Sequence, residues 1–217
     1  FLPHLSTLVG NHGSVVAIDH APESISAIEK RISDSELPGN IETKVGTVTE
    51  LAFEDASFDC VWCANVTQYL TEAELNKALS EFRRVVKPGG LVALKETDIA
   101  FWQFHPVDTQ LVWRVLDAAA GMGSTQALGA LRGWGLSKWV RRHGMEVIKR
   151  ETTLIDRVAP LEPYVIAFTS KQLNWLAANA ELLPLSESDK IEWRRIAANT
   201  EEILQDPDAC YQEVFTL

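Results

Sequence analysis

Ser14-Val15-Val16-Ala17-Ile18-Asp19 is a nearly continuous apolar run closing on a single acid, the pattern of a strand covered on both faces. Phe58-Asp59-Cys60-Val61-Trp62-Cys63-Ala64-Asn65 is a second such run and ends in a small polar group. Leu91-Val92-Ala93-Leu94-Lys95 is a third, reached through Lys87-Pro88-Gly89-Gly90. An acid at the carboxyl edge of one buried strand, with polar residues at the edge of another, describes a nucleotide-type crevice in an open α/β sheet. The glycine-rich turn that should precede such an acid is not in the chain, which begins at Phe1, about where that turn would have ended.

Helical spacing fills the intervals between these runs. Apolar residues at 1, 2, 5, 8 and 9 predict a short helix, stopped by Gly10-Asn11-His12-Gly13. Pro22 opens a helix over 22–34 carrying Ile25, Ile28 and Ile32, and Ile41 to Val45 is a short strand. Thr71 and Glu74 form a capping box for a helix through about Val86, with Leu75, Leu79, Phe82 and Val85 facing inward. The strand-helix alternation with short connections implies a mostly parallel sheet. Residues 97–143 change character: Phe101, Trp102, Phe104, Trp113, Trp134 and Trp139 among many alanines and glycines read as a crossover elaborated into a helical cap. A strand over 145–155, helices over 164–180 and 187–205, and a strand from Tyr211 to Leu217 complete the chain.

The formal charge is −10, from 20 basic and 30 acidic residues among 217. That balance argues against nucleic acid and anionic membrane surfaces as partners, since both require a positive footprint. Arg141-Arg142-His143 with Lys149-Arg150 is a local concentration of positive charge, read as a solvated helix end and strand start. No run reaches the ~18–20 apolar residues of a membrane span, and no signal segment opens the chain. Cys60 and Cys63 spell a CxxC inside a strand, where residues three apart point to opposite faces and cannot share a site. Buried thiols in a reducing, cytoplasmic setting are therefore expected. The acids and histidines never reach ligand spacing with one another, so no metal is expected.

Ile18-Asp19 with His20-Ala21-Pro22, Phe58-Asp59-Cys60-Val61, Asn65-Val66-Thr67-Gln68-Tyr69-Leu70 and the Arg83–Leu94 segment together resemble the class I, Rossmann-like methyltransferases that use S-adenosylmethionine. The resemblance is to the small-molecule branch that includes the ubiquinone and menaquinone biosynthesis methylases, and it is best over residues 1–96. It implies one seven-stranded, mostly parallel sheet of order 3-2-1-4-5-7-6, with helices on both faces and the last-numbered strand antiparallel. The first strand and glycine loop would lie upstream of Phe1, and a helical cap would follow strand 5. It divides the chain into a cofactor half (1–96), a cap (97–143) and a C-terminal remainder (144–217).

For the cofactor the resemblance implies Asp19 on the ribose hydroxyls with His20 beside it. Thr47 and Val48 fall on the adenine side, where Thr47 replaces the family's usual acid, and Asn65 and Val66 border the methionine part. Gln68, Tyr69, Glu96, Trp102, Phe104 and Trp113 are candidates for contact with a small, partly apolar substrate. His105, beside an acid-bearing loop and aromatics, is the candidate general base. Asp19 equally suits a helix N-cap, and the aromatics equally suit a core. A nicotinamide oxidoreductase, a non-catalytic interaction protein and a peptide methylase remain alternatives, and monomer and homodimer are both open.

Overall fold

The computed structural model describes residues 1–130 and 132–217. In chain order the elements are α1 (Leu2–Val9), β1 (Val15–Asp19), α2 (Pro22–Ser33), β2 (Ile41–Val45), β3 (Phe58–Ala64), a 3-10 turn (Thr67–Tyr69), α3 (Glu72–Val85) and β4 (Val86–His105). They continue with α4 (Thr109–Gly121), α5 (Thr125–Ala130), a 3-10 turn (Gly133–Gly135), α6 (Leu136–Arg142), β5 (Thr152–Val158), α7 (Pro163–Leu182), α8 (Glu187–Ala198), α9 (Thr200–Gln205) and β6 (Cys210–Thr216). Two compact units divide the chain: Phe1–Cys60 with Glu74–Leu91, and Val61–Ala73 with Val92–Leu217.

In the first unit β1 and β2 pair in parallel, from Val15 opposite Ile41 to Asp19 opposite Val45. A parallel pair needs a crossover, and α2 supplies it, packing on both strands. Pro22 stands in the first turn of α2 with Glu23, while Lys30 and Arg31 occupy the last, the arrangement its dipole favours. On α3, Leu75, Ala78, Leu79, Phe82 and Val85 are buried at helical spacing. Arg84 clamps the segment before β3: Nη1 donates to the Phe53 carbonyl (2.7 Å) and Asp55 (2.9 Å), and Nη2 to the Leu51 carbonyl (2.8 Å) and Glu81 (2.7 Å). Gly89 has a φ of +80°, and a Cβ on Gly90 would come within 2.6 Å of the Asp59 carbonyl oxygen. Both glycines thus serve backbone geometry.

In the second unit β6 lies between β4 and β5, antiparallel to each. Helices α4, α7, α8 and α9 build the main core, in which Trp102, Phe104, Val112, Leu173, Leu176, Trp193 and Tyr211 are buried together. Caps and a charged clamp hold these helices. Asp108 accepts from the Gln110 N–H (2.9 Å), Ser186 accepts from the Asp189 N–H (3.1 Å), and Arg114 grips both oxygens of Asp189 at 3.0 and 2.9 Å.

The sheet corrects the sequence-based expectation. In place of one mostly parallel seven-stranded sheet of order 3-2-1-4-5-7-6, the described residues form a two-stranded sheet, β1-β2, and a four-stranded sheet of order β3-β4-β6-β5 that is partly antiparallel. The expected order relied on a strand upstream of Phe1 to bridge β1 and β3. Among the described residues no strand hydrogen-bonds to both sheets, so no ladder joins them. β4 also runs ten residues past Lys95, to His105, with its register against β6 shifting between Asp98 and Gln103.

Candidate functional site

The first unit contributes the carboxyl end of β1. The Asp19 carbonyl accepts from the Gly46 N–H at 2.9 Å, which brings the turn after β2 against the end of β1. The Asp19 side chain does not fill the N-cap of α2, which is Ala21, but closes a turn ahead of it: Oδ1 accepts from the Ala21 N–H at 2.9 Å and lies 3.4 Å from His20 Nδ1. That turn uses one oxygen of a carboxylate whose side chain is 40% exposed, which leaves acceptor capacity facing out. Beside it, the Thr47 hydroxyl bonds Thr49 Oγ1 at 2.9 Å and accepts from the Thr49 N–H at 3.3 Å, tightening the turn that carries Val48. Asp19, His20, Thr47 and Val48 are thus gathered at one end of the β1-β2 pair.

The second unit contributes the segment after β3. Asn65 follows the strand with φ +56°, in the left-handed region that reverses the chain. Its N–H donates to the Lys95 carbonyl at 2.8 Å. Glu96, almost fully buried, accepts through Oε1 from the N–H groups of Val66 (3.0 Å) and Thr67 (2.7 Å). Both are donors at the start of the 3-10 turn, where a carboxylate satisfies groups that the turn cannot. Burial pushes the Glu96 carboxyl above its usual range, and its bonds to Thr67 and Val66 resist that rise. Cys63 is pushed up to about 12 by burial, with the Glu96 charge adding to it.

Lys95 points from the opposite face of β4. Its ammonium, also buried, donates to Asn65 Oδ1 (2.9 Å) and Thr97 Oγ1 (3.2 Å) and lies 4.7 Å from the centre of the Phe215 ring. Burial lowers its pKa, against the attraction of Glu213 and Glu96. Two further contacts fix the far side of the turn. Arg132 donates through both terminal nitrogens to the Leu70 carbonyl at 3.1 Å, and a Cβ on Gly129 would fall 1.9 Å from the Gln68 carbonyl oxygen. Only glycine lets α5 come this close.

The Methyltransferase domain family model matches residues 1–90. Those residues belong to the methyltransferase domain family. The resemblance carried by Asp19 and the runs that follow it is therefore matched by a methyltransferase domain over these residues, a stretch similar to the demethylmenaquinone methyltransferases. The chain is 36% identical over 97 residues to the demethylmenaquinone methyltransferase of Bacillus subtilis, a stretch covering 43% of this chain and 39% of that protein. It is 31% identical over 109 residues to the "Probable methyltransferase ltbC" of Aspergillus luteorubrus, covering 48% of this chain and 38% of that one. The matched stretches thus span less than two fifths of these relatives' own lengths. A solved structure from Bacillus halodurans C-125, described as a "putative methyltransferase", aligns with 94% of this chain and 80% of its own at a TM-score of 0.55 and 15% identity, a likeness of fold alone.

Within the methyltransferase segment and its continuation, the candidate residues fall into groups. Asp19, His20, Thr47 and Val48 adjoin one another in the first unit, and Asn65, Val66, Gln68, Tyr69 and Glu96 do so in the second. Gln68 is buried and Tyr69 is exposed. Trp102 and Phe104 sit in the main core, their rings 5.9 Å apart, whereas Trp113 is exposed on α4. His105 closes β4 opposite Cys210, while Glu96 faces Thr216. Those partners stand six positions apart on β6, about 20 Å of strand, so His105 and Glu96 are not neighbours. Sequence reasoning passed over Lys95, Gly129 and Arg132. A lysine ending the apolar run Leu91–Leu94 was the visible signal for the first; the other two had none. Among the described residues no group of acids, histidines and cysteines could hold a metal ion.

Proposed function

We propose that this chain belongs to an enzyme that transfers a methyl group from S-adenosylmethionine to a small, partly apolar organic molecule. The observation that carries this reading is the methyltransferase-domain match over residues 1–90, which spans Asp19 and the turn at Gly46–Val48. When bound, the sulfonium cofactor supplies a methyl group that is already activated. The chain's own residues would hold and desolvate the reactants, and alignment of that kind lowers a barrier by several kcal/mol, on the order of the effects measured for proximity. The outward acceptor capacity of Asp19 suits paired ribose hydroxyls, with His20 alongside. Thr47 and Val48 flank the adenine in this reading, and Asn65 and Val66 the methionine part.

Gln68, Tyr69 and Glu96 belong to the substrate side, where Glu96 acts by holding the turn through the Val66 and Thr67 amides. Trp113 offers an exposed apolar face, and Trp102 and Phe104, buried in the core, complete the aromatic set of this reading. His105 takes a proton only from a substrate that reaches the end of β4; an unchanged kcat in His105→Ala removes it from the mechanism. The division into a cofactor half (1–96), a cap (97–143) and a remainder (144–217) belongs to the same proposal, as does a monomer or homodimer without nucleic acid. The thiols are not all buried as the sequence suggested: Cys63 is, Cys210 is half-buried and Cys60 is exposed; three free thiols still suit a reducing compartment such as the cytoplasm.

Calorimetric titration of the full protein with S-adenosylmethionine and, separately, NAD tests the reading. Asp19→Asn keeps an acceptor for the Ala21 N–H but loses charge and one acceptor, and is expected to weaken S-adenosylmethionine binding at least tenfold with an unchanged melting temperature. Binding of NAD alone, or an Asp19→Asn variant that binds as the wild type does, refutes it.

A further inference from the structure

The chain is acidic, and five of its eleven arginines, Arg31, Arg84, Arg114, Arg194 and Arg195, each pair with at least one carboxylate. The opposite balance is found in one segment. Residues 138–150 hold Lys138, Arg141, Arg142, Lys149 and Arg150 against the single acid Glu146, a local charge of +4 in a chain of −10. Lys149 pairs with Glu151. Among the described residues no carboxylate lies within ion-pair distance of Lys138, Arg141, Arg142 or Arg150.

These cations share a surface. Lys138, Arg141 and Arg142 are exposed at i, i+3 and i+4 on α6, while Leu136 turns the helix's other side into the protein. The Arg150 guanidinium lies 5.8 Å from the centre of the Trp134 ring, which stacks on Phe101 with centroids 5.7 Å apart. Arg142 lies over Trp139 at 5.6 Å. Apolar side chains stand among the charges: Trp134 is 54% exposed and Ile148 72%.

We propose that this face, formed by the Trp134 turn, α6 and the segment through Arg150, docks the protein on an anionic phospholipid surface. Unpaired cations interspersed with exposed tryptophan and isoleucine match a layer of anionic headgroups over an apolar interior. A single-stranded polynucleotide would use open aromatic faces for stacking, and the Trp134 ring is already engaged by Phe101 and Arg150. The average charge argued against such a partner, but at physiological salt charges are screened beyond about 8 Å. A surface in contact with α6 therefore meets Lys138, Arg141 and Arg142 at close range, while more distant acids are screened.

Flotation of the full protein with vesicles of phosphatidylglycerol and phosphatidylcholine in equal parts, against pure phosphatidylcholine, tests this without any activity readout. At 50 mM NaCl at least tenfold more protein is expected on the anionic vesicles, released at 500 mM. The exposed-site double variant Arg141→Glu/Arg142→Glu should lose that tenfold preference, and Ile148→Ser should weaken it, both with the melting temperature of the wild type. Equal or absent binding to the two vesicle types, charge reversal without effect, or tighter binding to a single-stranded oligonucleotide than to anionic vesicles each overturns the proposal.

Discussion

Replacing Gly129 by alanine weighs a helix preference against a backbone collision. Gly129 lies near the end of α5, where alanine is ordinarily the better residue by about 1 kcal/mol. The added Cβ would meet the Gln68 carbonyl oxygen at 1.9 Å, its carbon at 2.6 Å and the Gln68 Cα at 2.8 Å. All three are backbone atoms, so no rotamer relieves the contact, and roughly 1.5 Å of movement is needed to restore ordinary separation. The turn is not free to supply it. Its Val66 and Thr67 amides are held by Glu96 at 3.0 and 2.7 Å, and its Leu70 carbonyl by Arg132 at 3.1 Å. Displacement breaks one or two of these bonds at about 1 kcal/mol each, on top of roughly 1–3 kcal/mol of overpacking. The collision outweighs the helix gain, leaving a net loss of about 2–3 kcal/mol. Urea unfolding followed by circular dichroism should place the midpoint about 1 M below wild type. A midpoint equal to or above that of the wild type refutes the reasoning, since it means α5 and the turn separate without cost.

Three further outcomes follow from the same geometry. Burial raises the Glu96 carboxyl above its unfolded value of about 4.3, so the native state holds this proton longer and its stability falls as pH rises through that window. Glu96→Gln keeps an acceptor for both amides and should gain stability relative to wild type between pH 4 and 7.5; parallel urea midpoints across that range would contradict it. Asp189 is held below the usual carboxylate range by Arg114, so its pairing stabilises at neutral pH and is lost as pH falls through the lowered value. Asp189→Asn should therefore melt below wild type at pH 7, with the gap closing in acid; a pH-independent gap would assign the effect to packing. Arg132→Met removes both bonds to the Leu70 carbonyl and should cost roughly 1–2 kcal/mol, the half-buried guanidinium keeping it near the low end for charged donors. Hydrogen exchange should rise at residues 67–70 in that variant, and unchanged protection there would show that the turn is held without Arg132.

The elements legible in the chain were those whose pattern is written by near neighbours. Ile25, Ile28 and Ile32 marked α2, and the apolar run Val15–Ile18 marked β1, because a period of 3.6 and a short unbroken apolar run are local properties. Asp19 was found for the same reason: a strand end and a helix start meet at that residue. The helix read over 187–205 divides into α8 and α9 at Asn199, a boundary that no proline or glycine announces.

The sequence alone determined the alternation of strands and helices, the acid that closes β1 and the methyltransferase character of the first 90 residues. Tertiary structure decided how the strands are shared between two sheets, and that Trp102 and Phe104 enter the core while Trp113 and Trp134 stay exposed. It also decided that Glu96 and Lys95, adjacent in the chain, serve opposite faces of β4: one holds the amides after β3, the other the side chain of Asn65. These choices join residues about thirty positions apart. Local periodicity says which face a side chain occupies, but only the packed chain says what it meets there.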